Sequence, residues 1–151
     1  MPEGIRSALA GRPSEGRVEP FAFPLPPVVL YHAMNMDDIL GSSGLVARAM
    51  GASYEHRPQQ IHMADAVRTA LGSRTHLIVE AGTGVGKSLA YLAPLVLWAR
   101  EENCRVVVAT YTKALQRQLV EKELPFLKDT AFRDLRFALC IGSENYLCLR
   151  R

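Results

Sequence analysis

The residues best suited to chemistry lie in one run, Ala81-Gly82-Thr83-Gly84-Val85-Gly86-Lys87-Ser88. It follows the pattern G-x-x-x-x-G-K-[ST] except at the first position, where Ala81 stands for glycine. Gly82, Gly84 and Gly86 leave the backbone free to turn several N–H groups onto an anion. Such a nest is strongest where it opens a helix, because the first N–H groups of a helix have no internal partner. A triphosphate is the ligand this arrangement serves. Lys87 would reach its β- and γ-phosphates, and Ser88 would ligate Mg²⁺. Lys87 and Ser88 are thus the catalytic candidates, and Ala81 to Ser88 form the candidate ATP-binding loop. The competing account is a glycine-rich turn followed by an incidental Lys-Ser pair.

Upstream stands Tyr54-Glu55-His56-Arg57-Pro58-Gln59-Gln60, which runs into a helix. A glutamine side chain can pair bidentately with the N6/N7 edge of adenine, accepting one hydrogen bond and donating the other. Gln60 is the candidate, with Gln59 as the neighbour that could exchange roles. The alternative for both is an ordinary polar residue at a helix start.

These groups need elements to hold them. Asp38 to Met50 can form one short helix interrupted by Gly41-Ser42-Ser43-Gly44. Pro58 opens a stronger helix at its favoured first position, and Gly72 ends it. His76 to Glu80, Arg105 to Ala109 and Arg136 to Ile141 are short apolar runs of buried-strand type. A helix is expected from Gly86 to about Arg100, kinked at Pro94 unless the freed carbonyl finds another partner. Thr112 can cap a further helix through about Glu123, which Pro125 helps to stop. Helices alternating with strands predict an α/β fold, with parallel strands joined by right-handed crossovers and covered on both faces.

Composition narrows the setting. The chain has 151 residues, net charge +3 and 48% hydrophobic residues, the balance of a globular protein of about one domain. Three cysteines, Cys104, Cys140 and Cys148, do not make a disulfide scaffold. The charge-free stretch from Pro20 to Met36 is broken by prolines, so no membrane span is expected. No signal peptide is visible, and a cytoplasmic location follows as the default. Residues 1–34 hold most of the prolines and lack any helix or strand period, so they are read as a disordered Pro-rich extension. Residues 35–151 form the ordered unit. Charge is spread along the chain, which neither demands nor forbids a nucleic-acid partner.

Four segments together resemble a known family. Tyr54 to Gln60, Val79 to Ser88, Val107-Val108-Ala109-Thr110-Tyr111-Thr112 and Gly142-Ser143-Glu144-Asn145-Tyr146-Leu147-Cys148 look like its Q motif, motif I, motif Ia and first iron–sulfur segment, in its order. The family is that of the DinG/XPD-type superfamily 2 DNA helicases. The likeness is closest to the bacterial DinG-like branch, through Glu80 to Ser88 and the Ala114-Leu115-Gln116-Arg117-Gln118-Leu119 helix. It implies a P-loop NTPase with a RecA-like parallel sheet and flanking helices, two such domains in the whole motor, ATP and Mg²⁺ as cofactors, and 5′-to-3′ movement on single-stranded DNA in DNA repair. Motif Ia touches the DNA backbone in this family, which carries over to Thr110 and Thr112. The Asn-Tyr-x-Cys segment supplies the first of four cysteines on a [4Fe–4S] cluster, which makes Cys148 an iron–sulfur ligand in a longer parent protein. Ile141 and Ser143 replace the basic residues usual there.

One functional part is not visible. Hydrolysis needs an acidic motif that holds Mg²⁺ and positions water. No apolar run in the 151 residues ends in Asp-Glu. Three strand candidates make about half of a RecA-like domain. The chain therefore reads as a truncated N-terminal piece of a helicase, inactive alone. The alternatives are a non-catalytic nucleotide- or DNA-binding P-loop module and a compact P-loop kinase. The kinase would need its own acidic Mg²⁺ residue and a substrate lid, and neither is seen. Purified 151-residue protein is expected to show background ATP turnover with or without single-stranded DNA. Robust DNA-stimulated phosphate release in a coupled assay would contradict that.

Overall fold

The computed structural model describes residues 34–142 and Asn145. The Pro-rich extension expected over 1–34, Met34 apart, lies outside the described residues, as do Ser143, Glu144, Tyr146, Leu147 and Cys148. Among the described residues there are six α-helices: α1 (Met36–Leu40), α2 (Leu45–Met50), α3 (Pro58–Ser73), α4 (Lys87–Glu101), α5 (Lys113–Gln118) and α6 (Leu124–Thr130).

Local chemistry explains most of their ends. Asn35 and Asp38 form a capping box on α1: the Asn35 side chain accepts from Asp38 N at 2.8 Å, and the Asp38 carboxylate accepts from Asn35 N at 2.8 Å. The glycine-bounded turn from Gly41 to Gly44 separates α1 from α2, as expected. Pro58 stands in the first turn of α3. The helix runs past Gly72 and ends instead at Arg74, a non-glycine residue in the left-handed region (φ 54°), whose N–H closes on the Ala70 and Leu71 carbonyls. Helix α4 is unbroken through Pro94, which is buried. Thr112 caps α5, its hydroxyl accepting from Leu115 N at 3.2 Å.

Pro125 does not stop the third long helix. The chain passes from α5 through a π-turn, Leu119–Glu123, into α6, where Pro125 lies in the first turn. The Leu124 N–H bonds to the Leu119 carbonyl, one residue farther back than in an α-helix. This shift places the proline where a helix start needs no donor, so the helical path continues.

The core is built by helices. Ile39, Leu40, Val46, Ala64, Leu92, Ala93, Leu97, Leu127 and Phe132 are buried and pack into one cluster centred on α4. Burying a leucine such as Leu97 is worth about 1.5–3 kcal/mol. At the C-terminal end of α4, Arg68 pairs with Glu101 at 2.9 Å and Arg100 with Asp134 at 2.7 Å. The Arg100 guanidinium also lies 5.7 Å from the centre of the Phe132 ring.

The three segments expected as strands carry no regular structure and no ladder between them among the described residues. Their apolar side chains face solvent: Ile78 is 98% exposed and Val107 90%. A strand exists only through a neighbour's backbone, so an apolar run by itself yields no ladder. Cys140, inside the third of these runs, is exposed for the same reason, while Cys104 is half-buried. The exposed apolar runs predict self-association. The double variant Ile78→Lys with Val107→Lys should sediment as a monomer at concentrations where the unaltered chain associates, with helical circular dichroism unchanged.

Candidate nucleotide site

The loop from Ala81 to Gly86 joins the segment after α3 to the start of α4. Gly84 (φ 82°) and Gly86 (φ 78°) both adopt the left-handed backbone that ordinary side chains avoid. Gly86 is the N-cap residue of α4, and no side chain caps that end. The first N–H groups of a 15-residue helix therefore point toward the loop without a side-chain partner. That is the donor set an anion requires.

Lys87 folds back over the loop. Its ammonium donates to the Ala81 carbonyl at 2.9 Å and to the Gly82 carbonyl at 2.8 Å. An ammonium has three donors, and these contacts use two. The charge thus sits at the mouth of the glycine loop. Thr83 is exposed, and Val85 and Ser88 are half-buried. Tyr91 is half-buried one turn beyond Ser88. Burial raises its phenol pKa, interaction with the Ser88 side chain works against that rise, and the Glu123 carboxylate adds to it.

Gln60 is buried, whereas Gln59 is exposed. The Gln60 amide donates to the Gly86 carbonyl at 2.9 Å. The donor that the sequence reading reserves for the adenine edge is therefore turned onto the loop backbone. A Cβ on Gly86 would stand 2.2 Å from Gln60 Nε2, so this approach requires glycine. Arg57, which sequence reasoning missed, is also drawn here. Its Nη1 lies 3.7 Å from that same Cβ position, and its other arm holds Glu55 at 2.6 Å. The signal was present: Arg57 and Gln60 are three residues apart across a helix start, so they share one face. The Tyr54 hydroxyl donates to the Leu40 carbonyl, anchoring the segment before α3 to α1. Burial raises the Tyr54 pKa, with nearby Arg57 opposing.

Thr110 and Thr112 form a separate patch. The Thr110 carbonyl accepts from the Gln116 amide at 3.4 Å, and Thr112 caps α5. Neither bonds to the phosphate loop among the described residues. Cys148 lies outside the described residues. No group of three or more His, Cys, Asp or Glu arranged to hold a metal occurs among the described residues. No helix there is long and apolar enough to cross a membrane.

The DEAD/DEAH box helicase family model matches residues 58–147, from the start of α3 through the loop and Thr112. The chain belongs to the DEAD/DEAH box helicase family. Membership gives it a P-loop NTPase fold. Its relatives include the ATP-dependent helicase DinG of Mycobacterium tuberculosis, 43% identical over 123 residues, which are 79% of this chain and 18% of that protein. The ATP-dependent DNA helicase DinG of Salmonella typhimurium is 46% identical over 94 residues, 62% of this chain and 13% of the relative. A Bacillus subtilis protein named 3′-5′ exonuclease DinG is 36% identical over 96 residues, 64% of this chain and 10% of the relative. The chain spans less than a fifth of the length of these curated relatives. No solved structure matches.

Gly86→Ala should destabilise the chain by about 2–4 kcal/mol in urea unfolding, through a left-handed alanine and a displaced buried amide. Adding Gln60→Ala removes the collision, so the double variant should lose less than the sum of the two single losses. Strict additivity would mean that the two residues do not touch.

Proposed function

We propose that this chain carries the ATP-binding portion of an ATP-dependent DNA helicase that moves along single-stranded DNA. The observation that supports the reading best is the start of α4. A glycine loop with two left-handed residues opens a long helix that no side chain caps, and the Lys87 ammonium already lies against that loop. The helix N–H groups and Lys87 bind the triphosphate. Phosphate oxygens displace the two weaker carbonyl acceptors of Lys87, because charge-assisted bonds are the stronger ones. Ser88 Oγ would hold Mg²⁺, which would supply charge neutralisation at the phosphates. Gln60 keeps the loop in place through Gly86 and, with Arg57, borders the space where adenine would lie.

The finer architecture belongs to the same proposal. His76 to Glu80, Arg105 to Ala109 and Arg136 to Ile141 are the strands of a RecA-like parallel sheet that forms in the whole protein. Their exposed apolar side chains favour this reading, since a parallel sheet is covered on both faces. In that sheet the phosphate loop and the Thr110–Thr112 corner fall at the ligand-binding edge. Thr112 accepts one bond as a helix cap and keeps its own O–H for a DNA phosphate. Such a contact places the strand without reading its sequence, which suits a moving motor.

Lys87→Ala tests the reading. ATP affinity measured by calorimetry with Mg²⁺ should fall by about 1.5–3 kcal/mol, or roughly ten- to 150-fold in Kd. Equal affinity in the two proteins would remove the loop from nucleotide binding.

A further inference from the structure

Tyr111 is 100% exposed, yet it differs from the other exposed apolar residues. Ile78 and Val107 lie inside apolar runs that a sheet and its covering helices would bury. Tyr111 stands past the end of such a run, between Thr110 and Thr112, at the corner that leads into α5. Its surroundings are polar and cationic. Lys113 and Arg117 are both exposed and four residues apart on α5, so they share one face. No acidic residue occurs from Thr110 to Val120. The corner is also fixed. Thr112 caps α5, and the Gln116 amide ties α5 back to the Thr110 carbonyl. A solvated aromatic ring on a pinned turn, beside two exposed cations, matches an anionic polymer that offers flat bases.

We propose that Tyr111, Lys113 and Arg117 form a contact for single-stranded DNA in which Tyr111 stacks on a base and the two cations hold the adjoining phosphates. The proposal rests on the reading of Thr110 and Thr112 as a DNA-backbone contact and adds to it a base-facing platform. Duplex DNA keeps its bases stacked on one another, so the platform favours single strands. Stacking accepts any base, and the contact remains independent of sequence.

Fluorescence anisotropy with the full 151-residue chain tests this against two probes of equal length, a labelled thymidine oligomer and the same backbone without bases. Tyr111→Ala should weaken binding of the thymidine oligomer by at least about fivefold and leave the abasic probe unchanged. Tyr111→Phe should restore it. The double variant Lys113→Ala with Arg117→Ala should weaken both probes, and should flatten the dependence of log K on log salt by about 1.4, or about 0.7 per phosphate released. A Tyr111→Ala loss that is absent, or equal on both probes, overturns the stacking platform while the DNA contact itself stands. An unaltered chain that binds neither probe overturns the platform and the DNA half of the proposed function together. ATP binding is then judged separately, through Lys87. Tyr111 lies outside the core, so unchanged helical circular dichroism is the expected control.

Discussion

The hydrogen bond from the buried Gln60 amide to the Gly86 carbonyl is the contact on which the rest of the site depends. An anion-binding helix start poses a physical conflict. Its N–H groups must stay free for the ligand, so the usual remedy of a capping side chain is barred. The glycines that let the loop approach an anion also cost it conformational entropy. Something outside the loop must hold it. Helix α3 does so by turning Gln60 inward at its first turn and grasping the N-cap residue of α4 from behind. The bond uses a carbonyl, and so consumes none of the N–H groups that an anion needs.

That bond works only if α3 and α4 keep their register, and the far end of the pair supplies the second fixed point. Arg68 on α3 reaches Glu101 on α4, and Arg100 joins Asp134 while lying over Phe132. These partly exposed pairs are worth up to about 1 kcal/mol each, well below the burial energy of the aliphatic cluster between the helices. Their role is directional: apolar packing tolerates sliding, and a charge pair at one end resists it. With Gln60–Gly86 at one end and Arg68–Glu101 at the other, a slip of α3 along α4 would break both contacts.

Legibility followed the range of the interactions. The glycine turn into α4, the start of α3 at Pro58 and the Thr112 cap are set by residues within a few positions of one another, and the sequence alone showed them. The Gln60–Gly86 contact joins residues 26 apart. Only the folded chain reveals that the glutamine faces the loop backbone. The π-turn was hidden by a different cause. Pro125 forbids a standard helical bond, and a widened turn and a break both meet that constraint, so sequence cannot choose between them. Strand candidates were read from apolar runs, but a strand is a property of two segments. Here the runs stand exposed, and their pairing in a sheet is proposed.

The π-turn bears on the link between the two patches. Ser88 sits in the first turn of α4, and Thr112 begins the helical path that reaches Glu123. A plain α-helix through Pro125 would lose a bond and clash at the preceding turn. Widening at Leu119–Glu123 lets the path continue while α4 packs against the widened turn. Glu123 then sits close enough to Tyr91 to raise its pKa, held by the Gln118 amide at 2.9 Å, and Tyr91 in turn meets Ser88. The π-turn thus fixes where the Glu123 carboxylate sits beside α4, which a plain helix through Pro125 could not do.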